Sequence, residues 1–128
     1  MHRNEQPGTG FVAGTITPLG PDRHPMSQPQ PLLPPSVVRV SSSIEISDYT
    51  ADGVSEAIRD RYWPCVDALM AKGAQSITLA GFPIASQLGR PRVLELQQET
   101  AGRTGVIADS QAEATVAALR HLDVRRIA

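Results

Sequence analysis

Two hydrophobic periods take turns along this chain. Short apolar, β-branched runs bounded by Pro, Gly or Ser read as strands, and longer stretches with an apolar residue every three or four positions read as helices. The run FVAGTIT, Phe11 to Thr17, is a strand that stops at Pro18, and SVVRVSS, Ser36 to Ser42, is a second. Between them, Pro18 to Pro35 holds seven of the eleven prolines, a composition that favours neither helix nor ladder, so a long loop is expected. In SDYTADGVSEAIRDRYWPCVDALMAKG, residues Val54, Ile58, Tyr62, Cys65 and Leu69 fall on one helical stripe, and Gly73 supplies a stop. Pro64 sits inside that pattern. An interior proline removes one backbone hydrogen bond and crowds the preceding turn, at about 3 kcal/mol, which predicts a kink near Asp60 or a break into two helices.

The alternation continues. AQSITLAG is a third strand running into the turn LAGFPIAS, and RPRVLELQQETAG is a helix with Pro91 in its first turn. TGVIADS is a fourth strand. Ser110 and Glu113 then match a capping box, opening a helix on which Ala112, Val116, Leu119 and Leu122 share a face. VRRIA reads as a fifth strand, inside which the sequence ends. Strands alternating with helices predict an α/β domain with a mostly parallel sheet covered by helices on both faces. The expected organisation is a polar tail over 1–10 and one domain over 11–128, with the proline-rich loop at 18–35.

Bulk composition narrows the function. With 128 residues and 41% hydrophobic content the chain has material for one modest core. A net charge of −1 gives no electrostatic reason to expect nucleic acid or an anionic membrane as partner. Cys65 is the single cysteine and has no disulfide mate; the start MHRNEQPGTG lacks the charged-then-apolar layout of a signal peptide, so a cytoplasmic location is expected. Lying on a helix stripe, Cys65 reads as a small core hydrophobe. His2, His24 and His121 have no metal-ligand spacing and read as solvated surface. Gly8, Gly10 and Gly14 do not join a strand to a helix, which rules out a dinucleotide loop. PLLPP lacks a flanking basic cluster for a docking motif, and packing explains Tyr62 and Trp63.

In parallel α/β sheets, ligands bind beyond the carboxyl ends of the strands. Three segments qualify by position: TPLGP, AGFPIAS and DSQAE. Turns and helix starts there offer backbone N–H groups to a carboxylate or phosphate.

The series GTITPLGP, TADGV, ALMAKGAQSITLAGFPIAS and TGVIADSQAEATVAALRHLDVRRIA resembles the amino-terminal half of the aspartate/glutamate racemase superfamily, in its arylmalonate decarboxylase and maleate cis-trans isomerase branch. The resemblance runs from about Gly14 to Ala128, with the proline-rich loop unmatched. It implies a flavodoxin-like half of a two-half protein that acts without a cofactor or metal on a small carboxylic acid, through a planar enediolate. Racemases of this superfamily place a proton-carrying cysteine in each half. By the resemblance the first cysteine position falls on Gly81, as in the decarboxylase, so decarboxylation or isomerisation ranks above racemisation. The next two positions, usually hydroxyl or amide side chains that bind the substrate carboxylate, fall on Phe82 and Pro83. Neither donates from its side chain, and Pro83 also lacks an N–H. The N–H groups of Ile84 and Ala85 would then take over that clamp. Thr17 and Pro18 match the loop lining the same pocket, with Thr17 a possible hydroxyl donor. No catalytic residue is assigned on this chain; a second half-domain or a homo-oligomer would supply the proton-handling group. Three alternatives stand beside the resemblance: a non-catalytic carboxylate-binding or interaction module, an inactive truncated fragment, and a reading of Gly81 and Pro83 as plain turn residues with Phe82 as core.

Overall fold

The computed structural model describes residues 10–20 and 33–127. Among these residues, strands β1 (Phe11–Thr17), β2 (Val37–Ser43), β3 (Ser76–Leu79) and β4 (Ile107–Ser110) form one parallel sheet in the order β2-β1-β3-β4. The helices are α1 (Ala51–Ala71), α2 (Phe82–Leu88), α3 (Arg90–Thr104) and α4 (Gln111–His121).

Strand alternation sorts the sheet into two unlike faces. Gly14 pairs with Val40 on one side and Ile77 on the other, which places these residues, with Ile16 and Leu79, on one apolar face. The α1 stripe covers that face, with Val54, Ile58, Tyr62, Cys65 and Leu69 all buried as the spacing predicts. Gly14 makes the close seat possible: a Cβ there would stand 2.8 Å from the Ser76 carbonyl oxygen and 3.3 Å from Leu69 Cδ1. Helix α3 lies beside α1. Thr100 Oγ1 donates to the Leu96 carbonyl at 2.7 Å, so the Tyr62 hydroxyl is the donor in the buried 2.7 Å bond joining the two helices. Burial raises the Tyr62 pKa above the ordinary tyrosine value. The other sheet face carries Ala13, Thr15, Ser41, Ser76 and Thr78, and α4 borders it across an open groove at Thr78 and Ala80.

Several expectations need correction. Helix α1 is uninterrupted through Pro64. Pro64 is exposed between the buried residues Tyr62 and Cys65, so water can reach the carbonyl left unpaired while core packing holds the flanking turns together. The second strand is shifted by one residue, to Val37–Ser43. The GFPIAS turn is itself a short helix, α2, separated from α3 by Gly89 at φ 79°. Residues 124–127 join no ladder; instead the Val124 N–H donates to the Leu119 carbonyl at 3.0 Å, closing the end of α4. The expected apolar face of α4 is not a core face: no residue of α4 is buried, and Leu122 just beyond it is 70% exposed. His2, His24 and most of the proline-rich loop lie outside the described residues.

Candidate functional site

The carboxyl ends of β1, β3 and β4 bring the three candidate segments together. At the first, the buried Thr17 accepts the Leu19 N–H on Oγ1 at 3.2 Å, which folds the chain over at Pro18. The continuation of β2 holds this turn from the other side: the Ile44 N–H donates to the Thr17 carbonyl at 2.8 Å and Ser43 Oγ donates to the Leu19 carbonyl at 2.7 Å. Arg61 reaches up from α1 to the Ile44 carbonyl at 2.8 Å, fixing the strand end in turn. Thr17 is only 2% exposed, so its hydroxyl shapes the loop from inside.

At the second, β3 ends with the Ala80 N–H donating to the Ile16 carbonyl at 2.9 Å, and the chain then reverses at Gly81, φ 105° and ψ 105°. This backbone conformation suits glycine. The space suits it as well, since a Cβ at Gly81 would stand 3.3 Å from Pro18 Cγ and 3.3 Å from Ile84 Cδ1. Pro18 and Gly81, which the resemblance puts in one pocket, are therefore neighbours. Beyond Gly81, Phe82 and Pro83 open α2 and are exposed, while Ile84 is fully buried and anchors the helix in the core. The Ala85 N–H donates to the Gly81 carbonyl at 3.3 Å as the first helical bond of α2.

At the third, Ser110 Oγ accepts the Glu113 N–H at 3.2 Å, so the backbone half of the capping box forms. The Glu113 carboxylate does not return to the cap; it takes a two-pronged bond from Arg90, with Nε at 2.8 Å and Nη2 at 3.3 Å. That bond lowers the Glu113 pKa below the ordinary carboxylate value and raises that of Arg90. The Ser110 N–H donates to Asp109 Oδ1 instead. Gln111, the first residue of α4, accepts the Gly81 N–H on Oε1 at 2.8 Å. This contact ties the second and third segments together. Sequence reading missed it because an exposed glutamine at a helix start carries no periodicity signal.

Phe82 and Pro83 also wall an apolar groove of about 600 Å³ between α2, α3 and α4, floored by Val93, Ala112 and Val116 with the Arg90–Glu113 pair at its edge. Cys65 is far from being a substitute nucleophile: it is buried, and its thiol donates to the Ser43 carbonyl at 3.4 Å. Among the described residues no group of His, Cys, Asp and Glu is arranged to hold a metal ion, and no helix is long and apolar enough to cross a membrane.

No family model matches the sequence, and no curated protein matches it. Among solved structures the chain is similar to a glycine-to-cysteine variant of arylmalonate decarboxylase in its sulfate-associated form, with a TM-score of 0.66 and 23% sequence identity. The alignment covers 91% of this chain and 49% of that one, so the chain spans about half the length of its structural relative. At this identity the likeness establishes the fold, a flavodoxin-like α/β sheet.

Proposed function

We propose that this chain forms one wall of a pocket for a small carboxylic acid, and that turnover there passes through a planar enediolate. The observation that carries this reading is the convergence at Gly81. The turn has no side chain of its own, Pro18 and Gln111 border it, and it lies beyond the carboxyl ends of parallel strands, where such folds bind ligands. The structural relative supports it twice: it is named an arylmalonate decarboxylase, and it is recorded with an associated oxyanion, sulfate.

In a decarboxylation of this kind the electrons of the breaking C–C bond move to the α-carbon and spread into the remaining carboxylate, giving an enediolate. Donors aimed at its two oxygens stabilise the developing charge. A proton is then delivered to the α-carbon. Among the described residues, Pro18, Ile84 and Gln111, which border Gly81, carry no titrating proton, so in this reading the proton donor comes from a second half-domain or a partner copy. Decarboxylation and cis-trans isomerisation rank above racemisation, because a glycine and not a thiol stands at Gly81.

A second reading, carboxylate binding without turnover, is favoured by Phe82 and Pro83, whose side chains offer no hydrogen-bond donor. Titration of the labelled protein with phenylmalonate, maleate and sulfate, followed by amide shifts and by product formation in D2O, separates the two. Saturable shifts at residues 17–20 and 81–85 with product or α-deuterium incorporation support the enzyme; the same shifts without product support the binding module. Absence of shifts at millimolar ligand rejects both.

A further inference from the structure

We infer that Gln111 is the side-chain donor that holds a ligand carboxylate at the Gly81 turn, an inference that rests on the carboxylate-pocket reading above. The chemistry of its contact fixes which way the amide points. The Gly81 N–H is a donor, so the Gln111 atom 2.8 Å away has to be the oxygen, and the NH2 group is directed away from the bond. Among the described residues nothing accepts from that NH2. Gln111 is exposed, and it lines the groove that runs past Thr78 and Ala80 toward Ala114, Ala118 and Leu119. Two amide protons are therefore presented at the lip of an apolar groove, beside a turn with no Cβ.

The other groups at the turn leave this place open. Phe82 and Pro83 have no side-chain donors, the Ala85 N–H is engaged by the Gly81 carbonyl, and the Thr17 hydroxyl is buried. Glu113, two residues along α4, is held by Arg90 at 2.8 Å and does not compete for the amide protons. Bonding to Gly81 also pre-orients the Gln111 side chain, so little rotamer freedom remains to be lost when a ligand arrives.

The replacement Gln111→Glu separates the two jobs. A carboxylate still accepts from the Gly81 N–H, but it donates nothing when ionised and repels an anionic ligand. Phenylmalonate is titrated into the wild-type chain and this variant, with the Gly81 amide and the Gln111 side-chain NH2 resonances as reporters. The expected result is a ligand-free spectrum of the variant that changes at the Gly81 amide and its immediate neighbours alone, with affinity weakened about 10- to 100-fold. Equal affinity in the two proteins overturns the role of Gln111 and leaves the pocket reading standing. No response of the wild-type Gly81 amide overturns the pocket reading and this inference together. Should the variant fail to fold, the wild-type signal decides: a Gln111 NH2 resonance that stays fixed at ligand saturation, while Gly81 shifts, overturns the inference, and one that moves with Gly81 supports it.

Discussion

Placing a methyl group on Gly81 strains the backbone and the packing at once, and the cost can be worked from the structure. At φ 105° an L-residue occupies a region rarely populated outside glycine, which costs about 1–3 kcal/mol. The new Cβ would also lie 3.3 Å from Pro18 Cγ and 3.3 and 3.4 Å from two Ile84 carbons. Ile84 is fully buried and cannot retreat into solvent, so crowding adds about 1 kcal/mol. Gly81→Ala should therefore destabilise the chain by about 2–4 kcal/mol, lowering the urea midpoint by about 1–2 M at an unchanged slope. Gly105→Ala is the control: φ is 71° there, but nothing lies within 4 Å of the added Cβ, so only the left-handed backbone is penalised, by about 1 kcal/mol. Removing the Pro18 ring in the Gly81→Ala background should recover part of the difference in a double-mutant cycle. If Gly81→Ala costs no more than Gly105→Ala, close approach of the two loops is not what demands glycine, and the site geometry argued here is wrong.

Pro64→Ala should stabilise the chain by about 2 kcal/mol, the gain of an ordinary helix residue less the extra freedom of the unfolded chain; an unchanged urea midpoint would show that α1 had already absorbed the proline. Tyr62→Phe should cost about 1 kcal/mol, since Thr100 keeps its own bond to the Leu96 carbonyl and loses one donor. Thr100→Val should cost more, because it leaves a buried tyrosine hydroxyl without a partner, and the reverse order in calorimetry would contradict the assigned donor direction. The Glu113 carboxyl is held below its ordinary pKa by Arg90, so its contribution to stability is fully present above the unfolded value, about 4.3, and is lost as pH falls through the lower folded value. The gap in melting temperature between wild type and Glu113→Gln should close on acidification, and a gap that is constant from neutral to acid pH would dissociate Glu113 from that stabilisation.

The fold was legible wherever the hydrophobic period and the burial agree. The later part of Phe11–Thr17, at Gly14, Ile16 and Thr17, and the stripe from Val54 to Leu69 meet the core, and their pattern reports it. The order of strands and helices then points to a parallel sheet. Legibility failed where local and global demands diverge. Pro64 argues locally for a break, yet flanking residues seated on the sheet override it. Leu119 and Leu122 keep a helical spacing, and the structure leaves Leu119 on an unburied helix and Leu122 exposed just beyond it. At the site, Pro18 and Gly81 could be placed together from their positions after strands. The segment of Gln111 could be placed there as well, but its bond to Gly81 could not, because a 2.8 Å contact across 30 residues of sequence leaves no trace in spacing.

The site is not uniformly rigid, and its construction says where it yields. Thr17, Ile84 and the ends of β1 and β3 are set in the core, so Pro18 and Gly81 are held by packing that costs several kilocalories to disturb. Helix α4 buries no residue, and among the described residues its polar attachments are the Ser110 cap, the Arg90–Glu113 pair and the Gln111–Gly81 bond. An exposed ion pair is a weak tether, and a helix of this length has little stability of its own in water. In the proposed pocket the turn after β3 is thus the fixed half, and α4 is the half whose position a ligand would influence. In the proposed arrangement a carboxylate bridging the Gln111 amide and the Gly81 turn adds a fourth attachment to the least secured element, so ligand binding and the ordering of α4 are one equilibrium.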